Sequence, residues 1–337
     1  MPNLNQNAGY GQAIIGAIHS AIGGTFGNVF LVMDPDDTDE GNYQHLQDLF
    51  PPDAEGRVRF FTDLSEANDA TESNNNDVII LDGNSTHTLT EMLTVSNNRV
   101  HFIGLDYLLG IHRKYGQRTK VHLAATATAT NIATIEVTGV RCSFRGIKFT
   151  NSSTVDEGIY CFVDAGEYTF VEDCEIYKDT DLDVTGAAEL LMNGDGSHYK
   201  NCYIGSTVNA ISGAILRPCV LLSRETITGK VARDFMFEDC IFARKCGNTG
   251  NRFVYGANAT DVERMGLFKN CIFWNTKLAS ATPAQNVAFG NAQTEGYVLL
   301  HNCTSIGAAT AMSTTTGVFI DSAVPAADTS GISLQCT

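Results

Sequence analysis

The chain has 337 residues, 43% of them hydrophobic and 18% charged, with 22 Lys and Arg against 38 Asp and Glu for a net charge of −16. That composition excludes a disordered chain and a coiled coil, and it is sufficient for a large core. The acidity argues against nucleic acid or an anionic membrane as partner, because both demand basic surface.

In chain order, residues 12–22 predict a short helix and residues 27–33 a strand, followed by the acidic loop Asp34-Pro-Asp-Asp-Thr-Asp-Glu40. The apolar stretch 13–33 is broken by His19, Ser20, Asn28 and four glycines, so no membrane span is expected. No secretory leader is expected either, since the first basic side chain is Arg57. Residues 64–70 read as a short helix and 77–83 as a strand with its turn.

From there a hexapeptide recurs. Phe237-Glu-Asp-Cys-Ile-Phe242 and Phe268-Lys-Asn-Cys-Ile-Phe273 are almost identical. Units starting at Phe102, Phe144, Val171, Tyr199 and Leu300 share the plan: a large apolar residue, usually a charge, a turn residue, Cys or an aliphatic, any residue, another apolar one. The fourth positions are Leu105, Ile147, Cys174, Cys202, Cys240, Cys271 and Cys303, spaced 42, 27, 28, 38, 31 and 32 residues apart. This spacing is too loose for an α-solenoid, and each unit reads at period two, as strands do. The third position is Gly104, Gly146, Asp173, Asn201, Asp239, Asn270 and Asn302, the residue types that tolerate positive φ. A sharp bend is therefore expected in every unit, followed by a strand with its fourth and sixth positions inward and its fifth outward.

These units resemble the right-handed parallel β-helix of the pectate-lyase-like superfamily. The Asn/Asp/Gly column resembles its asparagine ladder, and the Cys/aliphatic column resembles an internal stack. The resemblance implies an all-β, single-stranded parallel β-helix over residues 77–306, with a cap helix at 61–76. An N-terminal docking arm is expected at 1–60 and a low-charge interface segment at 307–337. The ten cysteines show no Cys-x-x-Cys pair and no zinc spacing. Stacked Cβ atoms about 4.8 Å apart are too distant for the roughly 3.8 Å a disulfide prefers, so reduced thiols in a reducing compartment are expected.

The superfamily includes lyases and hydrolases of acidic polysaccharides, which need paired carboxylates or a calcium site. The best cluster here is Asp179, Asp181 and Asp183, and a solvated acidic turn is the preferred reading. No catalytic set and no cofactor are expected. The basic group His112, Arg113, Lys114, Arg118 and Lys120 is either an exposed loop or a grip on an anionic glycan or acidic neighbour. The outward fifth positions run from Asp106, Lys148 and Glu175 to Tyr203, Ile241, Ile272 and Thr304, and Trp274 also faces outward. Tyr203, Ile241, Ile272 and Trp274 are thus expected at a subunit contact. Phage virion proteins resemble this superfamily, which implies a non-catalytic capsid decoration subunit. It would be homotrimeric, made in the host cytoplasm, and bound to the major capsid protein or another virion protein. The alternatives are a tailspike or depolymerase acting on a host surface glycan, and a free polysaccharide lyase.

Overall fold

The computed structural model describes residues 16–33, 47–48, 50–54, 56–83, 86–110, 112, 116, 119–124, 132–153, 159–180, 186–211, 217–224, 230–246, 251–276, 287–307 and 312–321. Its strands form three parallel sheets, here A, B and C, of 11, 8 and 7 strands. One coil places Ser143–Arg145 in sheet A, Lys148–Asn151 in sheet B and Phe162–Asp164 in sheet C. The next coil repeats the order with Phe170–Glu172, Glu175–Lys178 and Leu190–Met192. Equivalent residues pair in register: Phe144 with Val171, Phe149 with Ile176 and Phe162 with Leu190. Seven coils are complete in all three sheets, and the chain is a parallel β-helix.

The A-to-B corner follows from residue chemistry. Gly146, Asp173, Asn201, Asp239, Asn270 and Asn302 all have φ between 50° and 65°. This conformation turns the backbone N–H along the helix axis, so Asn201 N donates to Glu238 O at 2.9 Å and Asn270 N to His301 O at 2.9 Å. Side chains extend the ladder: Asn302 Nδ2 donates to Asn270 Oδ1 at 2.8 Å, and Asn201 Nδ2 donates to Asp173 Oδ1. At the final described rung, Asn302 N finds the Asp321 carboxylate at 3.0 Å in place of a carbonyl.

The cysteines next to the ladder have a second use. Cys174, Cys202, Cys240 and Cys271 are buried, and each thiol lies 3.3–3.4 Å from the carbonyl oxygen two residues earlier. A thiol packs as a small apolar group and supplies a weak donor to a corner carbonyl. Beside them Tyr199, Phe237 and Phe268 stack with ring centroids 4.9 Å apart, the spacing imposed by the strands.

The unit at Phe102 departs from the plan. Gly104 has φ −66°, outside the left-handed region, and the chain enters a one-turn helix, α2 (Leu105–Leu108), instead of a strand. Leu105 consequently packs on the outer face of sheet A, with Ile103 and Tyr107, and not in the internal stack. The strand of that coil comes after the insertion, where Lys120–Leu123 pairs with Lys148–Asn151. Glycine is still required at 104, because a Cβ there would lie 2.3 Å from Gly146 O.

The N-terminal part is more integrated than a free arm. Val29–Val32 pairs in parallel with Asp77–Leu81 in sheet A, and fully buried Ile18 packs on that sheet's outer face with Leu31, Val78 and Ile80. Helix α1 (Leu64–Asp69) is opened by Asp63, whose carboxylate accepts Ser65 N at 2.6 Å and Glu66 N at 3.1 Å. It sends Leu64 and Ala67 into the main core. The acidic loop 34–40 and residues 322–337 lie outside the described residues.

Candidate functional site

The outer faces of sheets A and B differ in what they leave unmatched. On sheet A, the second motif positions Arg145, Glu172, Lys200, Glu238, Lys269 and His301 stand side by side in register. From Arg145 to Lys269 the charges alternate, so each of these meets an opposite neighbour: Lys200 Nζ lies 3.1 Å from Glu172 and Lys269 Nζ 2.7 Å from Glu238, while His301 meets Asp321 outside the row. Glu172 also accepts the Tyr107 hydroxyl at 2.9 Å, while Asp173 takes His112 at 3.0 Å. Burial pushes Glu172 up, but the bonds from Lys200 and Tyr107 outweigh it and hold this carboxyl below the usual range.

Sheet B is graded along the helix axis. One outward row runs Lys120, Lys148, Glu175, Tyr203, Ile241, Ile272, Thr304, and the other passes through His122, Thr150 and Tyr177 to Ala243, Trp274 and Ile306. The early rungs are polar. Lys148 Nζ is 3.7 Å from Glu175 and 5.2 Å from the Tyr177 ring centroid. Asp179 Oδ2 accepts the Ser152 hydroxyl at 3.3 Å and lies 3.8 Å from Lys120 and 4.0 Å from His122. Burial first, and Lys120 second, lower the His122 pKa, with Asp179 opposing, so this imidazole is neutral near pH 7.

Where polar rungs give way to apolar ones there is a shallow cleft of about 170 Å³, lined by Tyr177, Asp179, Tyr203 and Gly205–Val208. Two aromatic walls, a carboxylate and two hydroxyls at Ser206 and Thr207 suit a polyhydroxylated ligand. Beyond it the wall becomes apolar: Ile241 and Ile272 are half-buried, Trp274 is 37% exposed and Ile306 48%.

The residues singled out from sequence are distributed as follows. Asp179 sits at the cleft, while Asp181 and Asp183 lie outside the described residues. Among the described residues no group of three or more His, Cys, Asp or Glu is placed to hold a metal ion. Tyr203 stands in the outward row but is only 4% exposed, so its own chain covers all but its edge on the cleft, unlike the exposed contact expected of it. Glu175 and Asp106, also expected outside, are 0% and 7% exposed. Of the basic group, His112 and Lys120 are engaged by Asp173 and Asp179, and Arg113, Lys114 and Arg118 lie outside the described residues.

Two features escaped the sequence reading. Arg99, Arg141, Tyr168, Gly196, Asp234 and Arg264 form a second left-handed column at the C-to-A corner. The N–H groups of Arg99, Arg141, Tyr168, Gly196 and Arg264 also reach along the axis, as Arg141 N does to Glu167 O at 2.7 Å. Arg and Tyr carry no left-handed signature, and the usable signal was a spacing that runs parallel to the asparagine ladder. The second is a strand bulge after Gly205, which shapes the cleft.

No protein-family model matches the chain, and no curated protein matches it. Solved structures do. The deglycosylated pectin methylesterase from Aspergillus niger aligns at a TM-score of 0.52 and 12% identity, over 88% of this chain and 85% of that one. Its penultimately deglycosylated form gives 0.51 with the same identity and coverage. The Dettilon tailspike protein gp208 is similar at 14% identity over 66% of this chain and 42% of that one, with a TM-score of only 0.33. The right-handed parallel β-helix of the methylesterase is the fold of this chain; at such identity the likeness extends to fold alone.

Proposed function

We propose that this chain is a structural, non-catalytic subunit that works by association. In its concrete form it is a homotrimeric decoration subunit on the capsid surface of a bacteriophage. The observation that carries the reading is the apolar half of sheet B, where Ile241, Ile272, Trp274 and Ile306 form adjoining rows. Covering apolar surface is favourable by roughly 25 cal/mol per Å², and such a contiguous strip is a contact surface by its chemistry. On sheet A, by contrast, the row from Arg145 to Lys269 meets its charges within the chain. The net charge of −16 suits an exposed particle surface that must stay soluble. In this reading three copies meet through sheet B, and the N-terminal segment faces the major capsid protein or another virion protein.

Copy number in purified particles, measured by mass spectrometry against the main shell protein, tests it. Hundreds of copies support decoration, a few tens or fewer indicate a tail location, and none overturns the virion reading. In solution, Ile272→Asp with Trp274→Asp is expected to convert trimer to monomer by light scattering.

A second reading has one observation in its favour: the Tyr177–Tyr203 cleft with Asp179 at its edge, which fits a depolymerase acting on a host surface glycan. It requires Asp179→Asn to abolish release of reducing ends from that glycan.

A further inference from the structure

The C-to-A corner carries chemistry used by neither the trimer contact nor the cleft. Arg99, Arg141 and Tyr168 occupy successive rungs of its left-handed column, with φ of 58°, 60° and 57°. Their N–H groups bond Val140 O, Glu167 O and Asp195 O at 2.9, 2.7 and 2.6 Å, so neighbouring rungs are one strand spacing apart, about 4.8 Å. The A-to-B corner meets the same conformation with Gly, Asn and Asp, which bear it at low cost. Arg and Tyr gain nothing from that backbone, and what they add at these positions is their side chains.

Those side chains are available to a ligand. Arg141 and Tyr168 are exposed, the tyrosine at 54%, and Arg99 is half-buried. Among the described residues, neither guanidinium has an ion pair or a side-chain hydrogen bond. Further along the same corner the arginines are satisfied: Arg264 lies 2.9 Å from Asp234 and Arg233 lies 2.7 Å from Glu263. Tyr168 is held as a platform. Its ring lies across Gly196, where a Cβ would come within 2.6 Å of Cδ1, and the Arg141 guanidinium is 5.8 Å from the ring centroid. Glu167, exposed beside it, has no ion pair among the described residues.

We propose that this ledge is a non-catalytic site for a carboxylated sugar, a single acidic unit at the end or on a branch of a glycan. An open aromatic face takes the apolar side of a sugar ring, and a guanidinium without a partner takes a carboxylate through paired N–H donors. Tyr168 stacks the ring, Arg141 binds the carboxylate, Arg99 supplies a second cation one rung away, and Glu167 accepts from the sugar hydroxyls. The free chemistry ends at Gly196, beyond which Asp234 and Arg264 satisfy each other, so the ledge reads one or two units and not a threaded chain. Two arginines are also too few to hold a nucleic acid against a net charge of −16. This corner joins sheets C and A, opposite sheet B, so the site depends on neither the trimer nor the cleft.

The test is binding of methyl glucuronide and of methyl glucoside to the full chain, followed by ligand-observed NMR. The glucuronide is expected to bind at least about tenfold more tightly than its neutral counterpart. Arg141→Gly should erase that preference, and Tyr168→Gly should weaken both sugars. Glycine suits the left-handed backbone, so Arg141→Gly is also expected to melt no lower than the unaltered protein. Equal binding of the two sugars, no detectable binding of either, a preference that survives Arg141→Gly, or binding unchanged in Tyr168→Gly overturns the proposal. So does a lower melting midpoint for Arg141→Gly, which would assign that arginine to the fold.

Discussion

At the scale of single residues, the corner ladder separates conformational need from hydrogen bonding. Asn201 sits at φ 55° and donates its side-chain amide to Asp173. Alanine there loses the bond and meets the steric cost of the left-handed region, whereas glycine loses only the bond. Asn201→Ala is expected to destabilise the protein by about 1–2 kcal/mol, and Asn201→Gly by about 1 kcal/mol less than that. Urea unfolding of the two variants checks the order; equal losses would show that the side-chain bond alone matters. This ladder was legible because Gly, Asn and Asp announce positive φ. The column through Arg141, Tyr168 and Arg264 was not, because packing forces that conformation on residues that do not favour it.

At the scale of elements, the thiol stack is the clearest case of one row doing two jobs. Burial pushes the Cys174 and Cys219 thiols up to about 12 and Cys142 to about 11, so none of them is a thiolate near neutral pH. Eight cysteines are buried and Cys303 is partly open, while Cys336 lies outside the described residues. A charged, impermeant thiol reagent is therefore expected to modify no more than Cys303 and Cys336 before unfolding, and all ten in denaturant. A third native thiol reacting at a comparable rate would mean that the coils open locally. The strand itself was readable from its period of two. The α2 turn in place of a strand after Gly104 was not, since Phe-Ile-Gly-Leu-Asp-Tyr fits the common plan by composition. The helical turn instead brings Tyr107 to Glu172, and His112 beyond it meets Asp173.

At the scale of the whole molecule, the buried titrating groups set an acid limit. Burial first, then Arg145 and Arg99, bring His101 down to about 4, and burial also lowers His198. A histidine with a depressed folded pKa lets the unfolded chain bind protons first, so stability falls as pH drops from about 6.5 towards the folded pKa. Arg217 and Arg244 overcome the burial that raises Glu189 and hold it below the ordinary range; Lys269 lowers Glu238. Their stabilisation is present above the unfolded pKa of about 4.5 and is lost as pH falls through the folded values. Asp164, raised by burial, works in the opposite direction. The expected profile is a midpoint that is steady above pH 7, declines between about 6.5 and 4 and falls more steeply below. His101→Gln should remove up to ~3 kcal/mol of the first decline, and a profile unchanged by that substitution would place the decline elsewhere.

The sequence by itself determined the repeating coil, the corner ladder, the internal thiol row and the drift of one outer wall from charged to apolar. All of these depend on one residue and its near neighbours, through backbone preference and alternation. The tertiary structure alone decided which charges cancel, because Arg145, Glu172, Lys200 and Glu238 alternate only once the strands stand in register. It alone showed that Tyr203 is largely covered by its own chain and that a bulge after Gly205 lines the cleft. Those properties belong to residues brought together from successive coils, whose loops differ in length, and no local spacing encodes them.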